Sequence, residues 1–458
     1  MTAFNTLPLP TALLQAVEQL DYAAMTPIQA ASLPEMLAAH DVRAQAMTGS
    51  GKTAAFGLAL LAGLEISQTR VQALVLCPTR ELADQVSKEI RALARFLPNV
   101  KLLSLCGGVP LHPQLASLSA HAPHVVVGTP GRVLDLVNRG DLKLGGLHAV
   151  VLDEADRMLD MGFLDAVEKI LNKTPKRRRT WLFSATYPAE IDGLSARVQN
   201  DPVAITVQSR HAESVISQQF FRVEPARKAD AVVALLQQHQ PEACLIFCHT
   251  KVDTQALADT LARRQLSVRG LHGDLDQRAR EEALVQFANG SCRVLVATDV
   301  AARGLDIKDL PLVIAYELSP DPDVHVHRVG RTGRAGATGR VLNLVAEREQ
   351  GRMQRIVERM PDPTGWSSVP EVRTDVAVLA PPDRGTLVID AGRKDKLRPG
   401  DILGALTGDA GLRAAQVGKI DVFATRAYVA IDRSALKLAL SRLRDGQIKG
   451  RRFRVRSV

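Results

Sequence analysis

The sequence predicts an α/β protein, with two parallel-sheet domains in tandem followed by a small α+β module. Three observations predict it. Short runs rich in Val, Ile and Leu alternate with stretches that are apolar at helical spacing, the pattern of a parallel sheet covered by helices on both faces. That alternation restarts once, near Ile216. The last part of the chain then changes both the order of its elements and its charge.

In residues 1–208 the β-like runs are "VQALVLCP", "HVVVGTP", "HAVVLDEAD" and "RTWLFSAT", and "TRELADQVSKEIRALARFL" carries helical periodicity. In residues 209–360 the strands are "ACLIFCHT", "RVLVATD" and "LVIAYEL", with "KVDTQALADTLARRQ" as a helix. The segment "VQSRHAESV" (207–215) joins the two halves. Residues 361–384 are rich in Pro and read as a second linker. Residues 385–458 run "TLVID", "PGDILGALTG", "GKIDVFA", "RAYVAI", "SALKLALSRLRDG" and "RRFRVRSV". That order is β-α-β-β-α-β, the split βαβ plan.

A chain of 458 residues is long enough for several domains with substantial cores. No apolar run is long enough to span a bilayer, and "MTAFNTLPLP" lacks a basic region followed by an apolar core. A cytosolic protein with no membrane partner is expected. Five cysteines without a second ligand pair at zinc-site spacing are expected to be reduced core thiols. The net charge of +9 is concentrated at one end: residues 385–458 hold 16 Lys+Arg against 7 Asp+Glu, while the remainder holds 42 of each. A small basic module on a neutral body points to a polyanion such as RNA.

The stretch "VVLDEADRMLDMGF" (150–163) ends a buried-looking strand in clustered acids. Taken alone, such acids suit the first turn of a helix, where they complement its dipole. A second stretch changes the reading. "AMTGSGKT" (46–53) follows a short β-like run and opens an apolar helix. It fits the phosphate-loop pattern with Ala46 in place of the first Gly. Thr48, Gly49, Ser50 and Gly51 form the loop whose N–H groups face an anion. Lys52 reaches the β- and γ-phosphates, and Thr53 offers a hydroxyl to Mg²⁺. Such a site needs a carboxylate on a neighbouring strand end, and Asp153 suits that role with ATP and Mg²⁺ as cofactors. Glu154 beside it suits the orientation or deprotonation of an attacking water. Asp156 is left open, and Asp160 reads as a solvated helix residue.

"AMTGSGKT" with "DEAD" (153–156) resembles the DEAD-box ATP-dependent RNA helicases. Further motifs match in order. "MTPIQ" (25–29) resembles the adenine-reading motif, with Gln29 as adenine ligand and Phe4 as the upstream aromatic. "PTRELA" (78–83), Gly107-Gly108 and "TPGR" (129–132) resemble RNA contacts, and "SAT" (184–186) the motif that links hydrolysis to strand separation. "HGDLDQRAR" (272–280), "ATDVAARGLDI" (297–307) and "HRVGRTGR" (327–334) resemble the remaining motifs. Asp21 stands where the family usually has Gly.

The resemblance implies two RecA-like domains and an RNA-recognition-like domain. It gives Arg331 and Arg334 the role of arginine fingers, Asp306 a ribose contact and His327 a coupling role. It gives Arg80, Gly108, Thr129, Arg132, Arg280 and Thr298 contacts to the RNA backbone, which carry no sequence information. A site divided between two domains makes hydrolysis conditional on closure, so turnover is expected to need RNA. The tail resembles a module that one bacterial group of the family adds to its core. That group acts on large-subunit precursor particles through a hairpin of 23S ribosomal RNA. Within the tail, Tyr428 stands at one stacking position, and Arg426 and Ile431 occupy the other two. RNA is thus expected to meet either the sheet face, through Arg426 and Tyr428, or a basic rim that includes Lys449 and Arg451. The leading expectation is a monomeric, RNA-stimulated ATPase that locally unwinds short duplexes. An ATP-gated RNA clamp without strand separation, and a DNA helicase, are the alternatives.

Overall fold

The structure is a computed structural model. It describes all residues except 1–2, 47–48, 208–215, 303–309, 334–338, 359, 361–365, 374–376 and 410, and it leaves the side chains of 323, 327 and 409 undescribed. Asp306, Arg334, Thr48 and the side chain of His327 therefore lie outside the described residues. Two compact units result, one holding the first sheet and the other the second and third sheets.

The first sheet has seven parallel strands. They are β1 (Val42–Gln45), β2 (Ala73–Leu76), β3 (Leu102–Leu105), β4 (Val125–Gly128), β5 (Ala149–Asp153), β6 (Arg179–Ser184) and β7 (Val203–Thr206). Their order across the sheet is β3-β4-β2-β5-β6-β1-β7. Neighbouring side chains of each central strand point to opposite faces, and both faces are apolar and covered. Ala73, Val75 and Val151 join one core with the Lys52–Ala62 and Arg80–Leu93 helices. Leu74, Leu76, Val150 and Leu152 join the other with the Pro130–Asn138 and Leu164–Leu171 helices. This two-sided burial is why the strands read as unbroken apolar runs. Asp21 takes φ +55 just past the Thr11–Gln19 helix. The left-handed turn implied by the usual Gly is present, and Asp is one of the few side chains that tolerate it.

The second sheet repeats the plan. Its strands are β8 (Ile216–Arg222), β9 (Cys244–Cys248), β10 (Val268–Leu271), β11 (Val294–Thr298), β12 (Leu312–Ala315), β13 (Gly339–Val345) and β14 (Trp366–Ser367). They are ordered β10-β11-β9-β12-β13-β8-β14, again parallel. The last strand comes from the Pro-rich stretch, and residues on either side of 374–376 also meet this domain. The Gln237 side chain donates to the Arg373 carbonyl at 2.7 Å and accepts from the Arg373 N–H at 2.9 Å. Gln240 Nε2 donates to the Val378 carbonyl at 2.9 Å, and Val378 and Leu379 pack on the second domain's core.

The third sheet is antiparallel, formed by β15 (Arg384–Ile389), β16 (Val417–Val422), β17 (Ala427–Asp432) and β18 (Val455–Ser457) in the order β16-β17-β15-β18. One face carries Leu387, Ile389, Val429 and Ile431 into the core under the Leu436–Asp445 helix. The other face carries Val388 and Tyr428, paired across β15 and β17. That face is covered by the Gln277–Ala288 helix of the second domain: Val285 packs on Val388 and Tyr428. Asn289 Nδ2 donates to Thr386 Oγ1 at 2.9 Å, the hydroxyls of Ser291 and Thr386 lie 2.7 Å apart, and Arg456 donates to Glu282 at 2.6 Å. Tyr428 is 1% exposed. The expectation that Tyr428 stacks on a base is corrected here. The protein's own helix occupies the ring, and Phe423 meets it edge-on at 5.6 Å.

A Val285→Asp chain is expected to place an unpaired carboxylate in that contact. Amide exchange at Val388 and Tyr428, followed by mass spectrometry, should accelerate at least about tenfold as the face opens.

Candidate active site

Parallel strands place all their carboxyl ends along one edge, where open α/β sheets bind ligands. In the first domain the order β5-β6-β1 makes three of the motifs neighbours. Asp153 ends β5 beside Phe183, and Ser184 ends β6 beside Gln45 of β1. The Ala46 N–H donates to the Ser184 carbonyl at 3.0 Å. The other half of the same edge, β2, β4 and β3, carries "PTRELA", Thr129 and Gly107-Gly108.

The phosphate-type loop turns through Gly49 (φ +82) and Gly51 (φ +94) into the Lys52–Ala62 helix. Ser50 lies between the two glycines, and Thr53 is half-buried in the first turn. The buried Lys52 ammonium donates to the Ala46 carbonyl at 3.0 Å, back across the loop. Gln29 clamps the loop from the other side. Its Oε1 accepts from the Thr26 N–H at 2.8 Å and its Nε2 donates to the Gly51 carbonyl at 3.0 Å. A Cβ at Gly51 would stand 2.5 Å from Gln29 Nε2. Both amide groups of the expected adenine ligand therefore touch main chain. Phe4, the expected upstream aromatic, is buried in the first domain's core with its ring 6.4 Å from that of Tyr22.

Asp153, Glu154, Asp156 and Arg157 are all buried. Asp153 Oδ1 has no hydrogen-bond partner. Burial pushes its carboxyl up to about 7 against the opposing pull of Lys52. A buried, unsatisfied carboxylate oxygen beside a phosphate-type loop fits a divalent cation. Among the described residues no cluster of three or more His, Cys, Asp or Glu side chains forms a ready-made metal site. Glu154 adopts the left-handed conformation (φ +56, ψ +56) at the N-cap of the Ala155–Asp160 helix. Asp156, left open by the sequence, has a defined task. Its Oδ2 accepts from the Ala185 and Thr186 N–H groups at 3.1 and 3.0 Å and from Thr186 Oγ1 at 3.1 Å, while its own N–H donates to Ser184 Oγ at 3.1 Å. It joins "DEAD" to "SAT". Asp160 is exposed at the end of that helix.

The expected RNA contacts of the first domain converge. Thr79 caps the Arg80–Leu93 helix through the Leu82 N–H at 3.2 Å. Arg80 lies against Gly108 (φ +70), where an added Cβ would stand 2.5 Å from Arg80 Nη1. Thr129 Oγ1 accepts from the Gly107 N–H at 3.3 Å, and Arg132 donates to the Val109 carbonyl at 3.2 Å. Two guanidinium groups, those of Arg80 and Arg132, thus lie beside the same Gly107–Val109 loop.

In the second domain Arg280 donates to the Ala301 carbonyl at 2.9 Å, and the Ala301 N–H donates to Thr298 Oγ1 at 3.3 Å. Arg280 and Thr298 are brought together. Arg331 is buried, its carbonyl accepting from the Leu310 N–H at 3.1 Å. One residue that the sequence reading missed stands beside it. Arg328 is buried, bonds Asp299 bidentately with both distances 2.7 Å, donates to the Glu317 carbonyl at 2.5 Å and lies over the Phe247 ring. It fixes the Pro322–Val329 helix to the ends of β11 and β12. Its signal was the "ATD" Asp299, which the motif supplied without a partner.

In the third domain the loop after β15, the β16–β17 turn and residues 446–454 meet at one end. The Arg393 and Lys394 N–H groups donate to the Phe423 and Ala424 carbonyls at 2.8 and 2.9 Å. Lys449 Nζ donates to the Lys396 carbonyl at 3.2 Å, and Arg451 lies 3.8 Å from Asp395. Arg426, one of the expected stacking residues, is held 3.1 Å from Asp390. These loops gather Lys394, Lys396, Arg426, Lys449, Arg451 and Arg454 into a basic rim.

Family comparisons agree with this layout. The DEAD/DEAH box helicase model matches residues 26–194, the helicase conserved C-terminal domain residues 227–336, and the DbpA RNA binding domain residues 386–457. The chain is 52% identical over 457 residues to the ATP-dependent RNA helicase DbpA of Escherichia coli (strain K12), covering 100% of this chain and 99% of the relative. It is 42% identical over 372 residues to the DEAD-box ATP-dependent RNA helicase CshA of Geobacillus kaustophilus (strain HTA426), covering 80% of this chain and 79% of the relative. Among solved structures it is similar to S. cerevisiae Dbp5 bound to RNA and ADP BeF3, with a TM-score of 0.71 at 28% identity over 81% of this chain and 96% of the other.

Two outcomes follow from the geometry. Gly51→Ala should weaken ATP binding at least about tenfold in a fluorescent-analogue titration, because a side chain at φ +94 is strained and pushes on Gln29. Asp153→Asn should stabilise the nucleotide-free protein at pH 8, by several degrees in its thermal midpoint. The folded carboxyl is raised above its unfolded value, so the folded state binds more protons between roughly pH 4 and pH 7. Stability from this group is therefore lost as pH rises through that window, and the advantage of the Asn chain should vanish below about pH 4.

Proposed function

The chain belongs to the DEAD-box ATP-dependent RNA helicases, and to the type that carries a DbpA RNA-binding domain; from that premise we propose that it locally unwinds short duplexes in 23S ribosomal RNA during assembly of the large ribosomal subunit. The observation that carries the catalytic part is the shared sheet edge. There the ends of β5, β6 and β1 hold the nucleotide motifs, and β2, β4 and β3 hold the RNA motifs.

ATP would be held by the loop N–H groups, Lys52 and Gln29, and Mg²⁺ by Thr53 and Asp153. When bound, the metal offsets charge on the phosphate oxygens. Glu154 orients the water that attacks the γ-phosphate and takes up its proton. Arg331 and Arg334 of the second domain complete the charge stabilisation on closure, so that turnover waits for RNA. Arg80, Gly108, Thr129, Arg132, Arg280 and Thr298 hold the strand by its backbone. Asp156, bonded to Ala185 and Thr186, passes the state of Asp153 and Glu154 to the "SAT" loop.

The basic rim of the third domain selects the ribosomal RNA. Support comes from the charge confined to residues 385–458, from the burial of the opposing sheet face and from the tail's resemblance to a 23S-targeting module. The same reading makes the protein a monomer of the cytosol. Five buried free thiols suit a reducing compartment.

Charge reversal at Lys394, Lys449 and Arg454 is expected to abolish the preference for a 23S fragment over unrelated RNA in ATPase stimulation. Turnover at saturating unrelated RNA should stay within about twofold, since backbone contacts in the core are sequence-blind. Displacement of a tailed duplex is measured on the same samples. ATP turnover without displacement would replace the helicase reading with that of an ATP-gated clamp.

A further inference from the structure

Four residues past the metal-type carboxylate stands a side chain that the motifs do not explain. Arg157 is 2% exposed, and its Nη1 lies 2.8 Å from Glu154 Oε2, whose side chain is 4% exposed. A guanidinium cannot shed its proton in a protein. Buried, it needs a carboxylate, and removing one member of such a pair strands the other. The neighbouring acids are otherwise engaged. Asp156 Oδ2 is taken by the Ala185 and Thr186 groups, and Asp153 faces Lys52.

The backbone makes the pairing with Glu154 compulsory. Glu154 is the left-handed N-cap of the Ala155–Asp160 helix, and the Arg157 N–H donates to the Glu154 carbonyl at 3.0 Å. One turn therefore brings positions i and i+3 onto the same face. The cap conformation is costly for a residue other than Gly, and the ion pair helps to hold it.

We propose that Arg157 is a positioning residue: its guanidinium fixes the Glu154 carboxylate, through Oε2, in the orientation from which that carboxylate addresses the attacking water. Arg157 touches neither nucleotide nor water and acts through Glu154 alone. The inference deepens the proposed function and rests on the role given there to Glu154. A displacement of about 1 Å in a reacting group is enough to cost on the order of a hundredfold in rate.

A double-mutant cycle in the full-length protein tests it, using Arg157→Gln, Glu154→Gln and both together. Arg157→Gln should lower kcat for RNA-stimulated ATP hydrolysis by roughly tenfold to a hundredfold, with KM for ATP within about twofold. In the Glu154→Gln background, read by single-turnover quench over hours, the same change should cost less than about threefold. Arg157→Lys, which keeps the charge, should recover part of the loss. It takes the place of Arg157→Gln in the cycle if that chain does not fold. A second readout needs no catalysis: each single variant should lower the thermal midpoint of the nucleotide-free protein, and the pair should lower it by less than the sum. Equal fold-losses in both backgrounds, or an unchanged kcat in Arg157→Gln, would overturn the inference and leave the Glu154 assignment standing. Normal turnover in Glu154→Gln alone would overturn both.

Discussion

Burial of charge at the end of one strand is the constraint on which the rest of the first domain depends. Three acids and an arginine stand within five residues at the mouth of β5, and none reaches solvent. Bare carboxylates in such a place are expensive, so each must be answered by a neighbour. Asp153 feels the charge of Lys52 while its Oδ1 stays unpartnered, Glu154 pairs with Arg157, and Asp156 draws three donors from the residues after β6. The strand order β5-β6-β1 supplies those neighbours from three separate stretches of chain. Catalytic geometry and local stability are thus one problem with one solution.

The same logic ties the phosphate-type loop to the helix before it. Gln29 spends its amide on Thr26 and Gly51, so the helix that follows residue 26 and the phosphate-type loop move together. In the second domain the buried pair of Lys228 and Glu349 plays a comparable part. Lys228 donates to the Tyr316 and Leu344 carbonyls as well, and Glu349 accepts from the Leu318 and Ala346 N–H groups. Fully satisfied ion pairs of this kind fix strand ends where packing alone would leave choices.

Much of the architecture was legible because two-sided burial writes unbroken apolar runs. "VQALVLCP" contains β2, "HAVVLDEAD" contains β5 and "CLIFC" is β9. Among the strands passed over, "LLSL" at 102–105 and "VRGL" at 268–271 are short, and four residues hold too few turns of any period, while β8 ("ISQQFFR") and β13 ("GRVLNLV") interrupt their apolar runs with polar residues. Motif order located the chemistry because glycines, acids and basic residues stand there at fixed spacing. What spacing does not record is which partner a side chain chooses. Asp156 and Arg328 found theirs 29 residues away, Asp156 at Ala185 and Arg328 at Asp299. Tyr428 was misread for a related reason. Its position in the strand was correct, but which of the two sheet faces is covered depends on a helix about 150 residues earlier in the chain.

The stretch from Trp366 to Leu379 bears on how the module of residues 385–458 meets its target. A free chain of that length would let the module wander, and its encounters with RNA would be governed by a diffuse cloud of positions. Pairing of β14 with β8, the two glutamine clamps and the covered sheet face remove that freedom. The module then behaves as a caliper jaw rather than a lure on a line. Its basic loops are thereby held at a set spacing from Arg280 and Thr298, as the two points of a gauge are held.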